Sequence, residues 1–480
     1  MNTDKQPVQY SPIEEHDSCA IVASIRKGGE ATHGNLKRTI EALGKMGHRS
    51  GDVQGESDGC GVLTDVPRRL WTHALENEGK PGGLSEDKRF FVGHLMLPAH
   101  EAAQSRIWQD KVLGLLAAAG ADVLIEKPGT VYPEALGRIA RTQEPLFWQI
   151  AAVMNTSALT SIETDLFDLT LSIEATTPLH VASLSSHSVV YKVRGSVETL
   201  YHYYPELRSR DYASAITIGH ARYSTNTATA FERVQPFSLL GHNGEINTIS
   251  RLREQAQMLG FQLVKGGSDS QDLNRVLESL IHRHGFSLME AMELAFPPTP
   301  GDLEEIPPEI RAVYRYYRLA FGPFAQGPAA IVARFADECF FSVDAMGLRP
   351  LWFGETDKEY YFSSEKGVVP LDLLTADPKP LAPGEKMSLQ VFRGDHIEVL
   401  DYSALQRRVY EIARGRLGPT ESLNVLRQRP DCGHADNLVD PERPEPQISF
   451  NSVARASGWT RDDREWARSL GDTGRDPIAS

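Results

Sequence analysis

Asp17-Ser18-Cys19-Ala20-Ile21-Val22-Ala23-Ser24-Ile25 sets a cysteine at the head of an apolar run with the composition of a buried strand. If residues 1–18 were removed, Cys19 would carry both a thiol and a free α-amino group. A thiol is largely protonated at neutral pH and becomes a competent nucleophile when a base lies within hydrogen-bond reach. An α-amine, with an ordinary pKa of about 7.7–8.0, is such a base, covalently fixed beside the sulfur. Taken alone, a cysteine opening a hydrophobic strand is more often a small core residue. The remainder of the chain decides between the two.

The chain has 480 residues, enough for one large domain or two to three ordinary ones, and its 41% hydrophobic and 24% charged content is that of a globular protein. Its net charge of −14 argues against nucleic acid as a partner, because phosphate binding calls for clustered Lys and Arg. No run of eighteen apolar residues is present, so no membrane span is expected. Residues 1–18 lack the charged and apolar regions of a secretory signal and read as a leader of another kind. Cys19, Cys60, Cys339 and Cys432 are widely spaced and form neither a disulfide framework nor a zinc pattern. A reducing cytoplasm is the expected setting.

Further along, Leu36, Ile40 and Leu43 predict a helix. Gly47-His48-Arg49-Ser50-Gly51-Asp52 and Ser57-Asp58-Gly59-Cys60-Gly61 read as glycine-rich loops in which backbone lies close to something. Residues 90–210 alternate apolar runs with helical patterns. The strand Ala215–Gly219 leads into His220-Ala221-Arg222-Tyr223-Ser224-Thr225-Asn226-Thr227, a polar exit of the kind at which sites are built. His242-Asn243-Gly244 follows. Asn-Gly between apolar runs predicts a hairpin turn, and the functional alternative is that the Asn amide and Gly N–H form an oxyanion hole. Ser268 with Gln271 reads as a capping box, which puts Asp269 in a helix's first turn. Beyond Gly327 the pattern predicts an antiparallel meander up to Phe392, then a helix over 403–416, and residues 417–450 read as linker.

Together these motifs resemble the class II glutamine amidotransferases, most closely the amidotransferase domain of the glutamate synthase large chain. The resemblance rests on Glu15, Asp17 and Cys19; His48-Arg49; Asp58-Gly59-Cys60-Gly61; Arg222 to Thr227; Gln235-Pro236-Phe237; His242 to Asn247; Ser268-Asp269-Ser270; and Gly347-Leu348-Arg349-Pro350. It implies an α+β fold, the N-terminal nucleophile hydrolase αββα four-layer sandwich with two antiparallel sheets, over residues 19–416. It implies Cys19 as nucleophile on the glutamine side-chain amide, with Asn243 and Gly244 holding the oxyanion. Arg222 would take the substrate α-carboxylate and Asp269 its α-ammonium, and Thr225, His48 and Arg49 would complete the substrate site. Met346 stands where the family has an asparagine and removes a polar side chain beside Asp344.

Residues 451–480 resemble the segment leading into the central domain of glutamate synthases. The chain holds no cofactor motif of its own, and the resemblance implies that FMN and an iron–sulfur cluster belong to a separate synthase subunit receiving the ammonia. Two alternatives stay open: a glutaminase subunit of another synthase, such as one making an N-alkylglutamate, and a non-catalytic glutamine-binding regulator with an unprocessed leader.

Overall fold

The computed structural model describes residues 19–53, 55–156, 162–222, 229–299, 301–320 and 325–417. The leader 1–18, Thr225, the linker beyond Leu417 and the segment 451–480 lie outside the described residues.

The strand Ala20–Arg26 is central in a seven-stranded antiparallel sheet, between Glu359–Ser363 on one side and Ile216–Ala221 on the other. Cys60–Asp65 and Ser188–Val193 complete that second side, and Trp352–Glu355 and Lys379–Pro380 complete the first. Ala20 to Ile25 are all buried, which explains why the opening run is continuously apolar rather than alternating: both faces of the sheet are covered. On the outer face lies the helix His33–Lys45, capped by the Thr32 hydroxyl on the Asn35 N–H. Leu43 and Thr39 press onto Gly219 so closely that a Cβ there would stand 2.5 Å from Leu43.

A second, five-stranded sheet packs on the inner face, in the order Leu240–Gly244, Ala329–Phe335, Glu338–Val343, Lys386–Phe392, His396–Leu400. Phe341 and Phe362, one from each sheet, stack across the interface with centroids 3.4 Å apart. Helices Asp269–His284, Leu288–Ala295, Pro308–Ala320 and Tyr402–Leu417 cover the outer side of this sheet, burying Leu240, Ile331, Ala333 and Phe340. Helix, sheet, sheet, helix is the αββα order expected of an α+β sandwich.

Three features differ from the sequence reading. A third sheet, Ala121–Pro128, Leu146–Met154, Phe90–Leu97 and His180–Ser185, is built from residues 90–185 and covered by helices Ser105–Ala118 and Ile162–Thr176. The run after Gly327 is not one meander. Its strands Trp352–Glu355 and Glu359–Ser363 cross to the first sheet, and the chain returns to the second at Lys386–Phe392. Asn243-Gly244 is not a hairpin turn either; it ends a strand paired with Ala329–Phe335, and the chain continues into the helix Ile249–Met258.

Candidate active site

Cys19 sits at the end of the central strand, 9% exposed. The strand is pinned there from its neighbour: the Ile21 N–H donates to Ser364 Oγ at 3.0 Å, and the Ser364 N–H donates to the Ile21 carbonyl at 3.0 Å. On the other side Ala20 pairs with Ala221, so the residue that follows, Arg222, leaves its strand at the same end of the sheet as Cys19.

Arg222 is held by both glycine-rich loops. Its N–H donates to the Gly59 carbonyl at 2.8 Å, its carbonyl accepts from the Gly51 N–H at 3.2 Å, and the Asp58 N–H closes the crossing onto the Gly51 carbonyl at 3.0 Å. The glycines are needed for close approach: a Cβ on Gly59 would lie 2.6 Å from the Val234 side chain, and one on Gly61 2.7 Å from the Gln235 carbonyl. Burial lowers the pKa of the Arg222 guanidinium, and Asp58, Cys19 and Asp269 all lie close enough to oppose that shift. One buried cation thus stands within electrostatic reach of the thiol and of two carboxylates.

Asp269 is the first residue of its helix, and Ser268 and Gln271 form the reciprocal capping box in front of it. Its Oδ2 accepts from the Ile246 N–H at 3.0 Å and its Oδ1 from the Ser270 N–H at 2.7 Å. The Ile246 bond ties the helix to the chain just beyond Asn243-Gly244. Behind that pair, Gln235 brackets His242 as a neighbouring strand would, accepting its N–H at 2.7 Å and donating to its carbonyl at 3.1 Å. The same carbonyl meets His220 Nε2 at 3.0 Å, which joins the Arg222 strand of one sheet to the Asn243 strand of the other. Burial pulls the His220 pKa down to about 3, so the ring is neutral and Nε2–H is the donor.

Asn243 itself is 1% exposed, and among the described residues neither its Oδ1 nor its Nδ2 finds a hydrogen-bond partner. Buried amides are rarely left so. Gly244 next to it has φ +134, and a Cβ would stand 1.7 Å from the Pro328 carbonyl oxygen, so only glycine fits.

His48 and Arg49 are brought to Glu365, which His48 Nε2 meets at 2.8 Å and Arg49 Nε also contacts. Burial alone would raise the Glu365 pKa, but those two partners bring it below its ordinary value. Since Val22 pairs with Ser363, Glu365 lies two residues on, near Cys19. Sequence reasoning gave neither Glu365 nor Ser364 a role, and the only signal was their position directly after an apolar strand. Met346 turns out to be 74% exposed, and the turn is organised without its side chain. The Asp344 carboxylate accepts the N–H groups of Ala329, Met346, Leu348 and Arg349 at 3.0–3.2 Å. Cys60 and Cys339 are free, buried thiols whose pKa values burial raises, the latter to about 12, which makes them poor nucleophiles. Among the described residues no group of three or more His, Cys, Asp or Glu side chains is arranged to hold a metal ion, and no helix is long and apolar enough to cross a membrane.

The sequence matches the family described as glutamine amidotransferases class-II over residues 19–410. It is 30% identical over 412 residues to the glutamate synthase [NADPH] large chain of Bacillus subtilis, covering 80% of this chain and 27% of that one. It is 27% identical over 421 residues to glutamate synthase [NADH] of Saccharomyces cerevisiae, covering 81% and 19%. With the ferredoxin-dependent glutamate synthase of Pyropia yezoensis it shares 27% over 485 residues, covering 94% and 30%. The chain therefore spans 19–30% of the length of these relatives.

Proposed function

This chain belongs to the class II glutamine amidotransferases, and we propose that it hydrolyses L-glutamine to L-glutamate and ammonia through a γ-glutamyl thioester on Cys19. The thiol attacks the side-chain amide carbonyl while the α-amine of Cys19, freed by loss of residues 1–18, takes the thiol proton and passes it to the departing ammonia. Asn243 Nδ2 and the Gly244 N–H receive the oxyanion. Water then cleaves the thioester. Arg222 pairs with the substrate α-carboxylate and Asp269 with its α-ammonium. An amino acid lacking either charge leaves a partner unpaired in the pocket, which is the source of selectivity. In this reading Thr225 belongs to the substrate site. His48 and Arg49 also belong to it, and their shared bond to Glu365 sets the loop they stand on.

The observation that carries this reading is the buried Asn243 amide with no hydrogen bond of its own, beside a Gly244 whose backbone tolerates no side chain. The names of the relatives support glutamate synthesis as the destination of the ammonia. FMN and an iron–sulfur cluster are then carried by a separate synthase subunit, and the setting is the cytoplasm. The test is ammonia release by the purified protein alongside a Cys19→Ala variant, which should bind glutamine and release none. An undiminished rate in that variant refutes the assignment.

A further inference from the structure

At the opposite end of the first sheet, where Ile25 pairs with Ile216 and Asp65 with Ser188, lies a cavity of about 930 Å³. The seven-residue strand Ala20–Arg26 separates it from Cys19, roughly 20 Å at strand rise. The chain as a whole carries a net charge of −14, yet Arg68, Arg69, Lys88, Arg210 and Arg393 all line this cavity.

Three of the four acids in the lining already have partners. Asp65 is taken by Arg334 and Arg393, Asp337 by Arg393 at 2.7 Å, and Glu163 by the Ser185 and Ser186 hydroxyls and the Ser186 N–H at 2.6–2.9 Å. Glu86, the fourth, lies within electrostatic reach of Arg68. Among the described residues Lys88 and Arg210 form no ion pair, and the Arg68 guanidinium donates only to the main-chain carbonyls of Ser85, Asp87 and Ser186. Burial, with Arg393 beside it, lowers the Arg68 pKa, while Glu86, Asp65 and Asp87 oppose that shift.

The helices that begin at the cavity point the same way. Arg68–Asn77 opens on two arginines, with no acidic residue in its first turn and no side-chain cap. His33–Lys45, whose first residue also lines the cavity, has no acid in its first turn. Cations at a helix N-terminus oppose the dipole, so the sequence breaks a local rule in a place where an anion would relieve it.

We propose that this cavity binds a small polyanion, a molecule bearing two or more carboxylate or phosphate charges, with Lys88 and Arg210 as its principal contacts. The test is isothermal titration of the full chain with citrate and, separately, with inorganic phosphate, at fixed ionic strength set by NaCl. Saturable binding of either is expected, and which one binds identifies the charge chemistry. In a Lys88→Glu/Arg210→Glu variant, whose changes are at exposed positions, binding should weaken at least about tenfold while the thermal midpoint holds. The Cys19→Ala variant should bind as the wild type does, so the glutaminase reading can fail without touching this result. Absence of saturable binding for both anions, or an unchanged Kd in the double variant, overturns the proposal.

Discussion

Asn243→Leu separates what the amide does for the fold from what it does for the reaction. Leucine has nearly the shape of asparagine, so the substitution leaves neither a large cavity nor an overpacked site. What it removes is a buried carboxamide with neither polar atom hydrogen-bonded, a group whose burial costs about 1–3 kcal/mol. Unfolding free energy, measured by urea denaturation, should therefore stay level or rise by up to about that amount. Ammonia release should fall about 10²–10³-fold in kcat, the effect of losing one oxyanion donor, or about 2.7–4 kcal/mol. The KM for glutamine should move little, because the donor acts on charge that develops only in the transition state. A variant that unfolds about 2 kcal/mol more easily yet releases ammonia at the wild-type rate would make Asn243 a core residue and refute the reasoning.

Gly244→Ala forces a Cβ against the Pro328 carbonyl from a backbone at φ +134, so it should destabilise by about 2–4 kcal/mol and abolish glutaminase activity. A thermally neutral variant would mean that the strand end is freer than its geometry indicates. At Asp65, burial alone would raise the pKa, but Arg334 and Arg393 hold the carboxyl well below its ordinary range. Its contribution is therefore complete above the unfolded value of about 3.9 and is lost as pH falls through the depressed folded value. Asp65→Asn strands the buried Arg334 and should cost about 3–5 kcal/mol at pH 7, with the gap to wild type closing below about pH 4. A gap that does not change with pH would show that the ion pair is not its source.

Much of the local structure around Cys19 was legible because it lies in short segments. Cys19 before an unbroken apolar strand, Asp269 inside a capping box, and Gly59 and Gly61 where a side chain and a neighbouring backbone press close each leave a local mark. What escaped is non-local. The Asn-Gly hairpin preference was overridden by pairing with Ala329 and Ala330, residues more than eighty positions away. Nothing in the periodicity of Trp352–Glu355 and Glu359–Ser363 says which of two sheets they join; that is fixed by Ala20–Arg26, which Glu359–Ser363 flanks and onto which it carries Trp352–Glu355. The third sheet depends on pairings such as Phe91 with Ala152, which alternation alone cannot specify. Asp344 shows the converse: one carboxylate gathers four N–H groups, so the turn does not need the asparagine that Met346 replaces.

The most direct test of the account is peptide mapping by mass spectrometry after treating active protein with an electrophilic glutamine analogue. The account predicts a single adduct on the sulfur of Cys19 in a polypeptide whose first residue is Cys19, formed in step with loss of ammonia release and slowed by glutamine. An adduct on Cys60 or Cys339, or full activity in protein that still carries Met1, would contradict it.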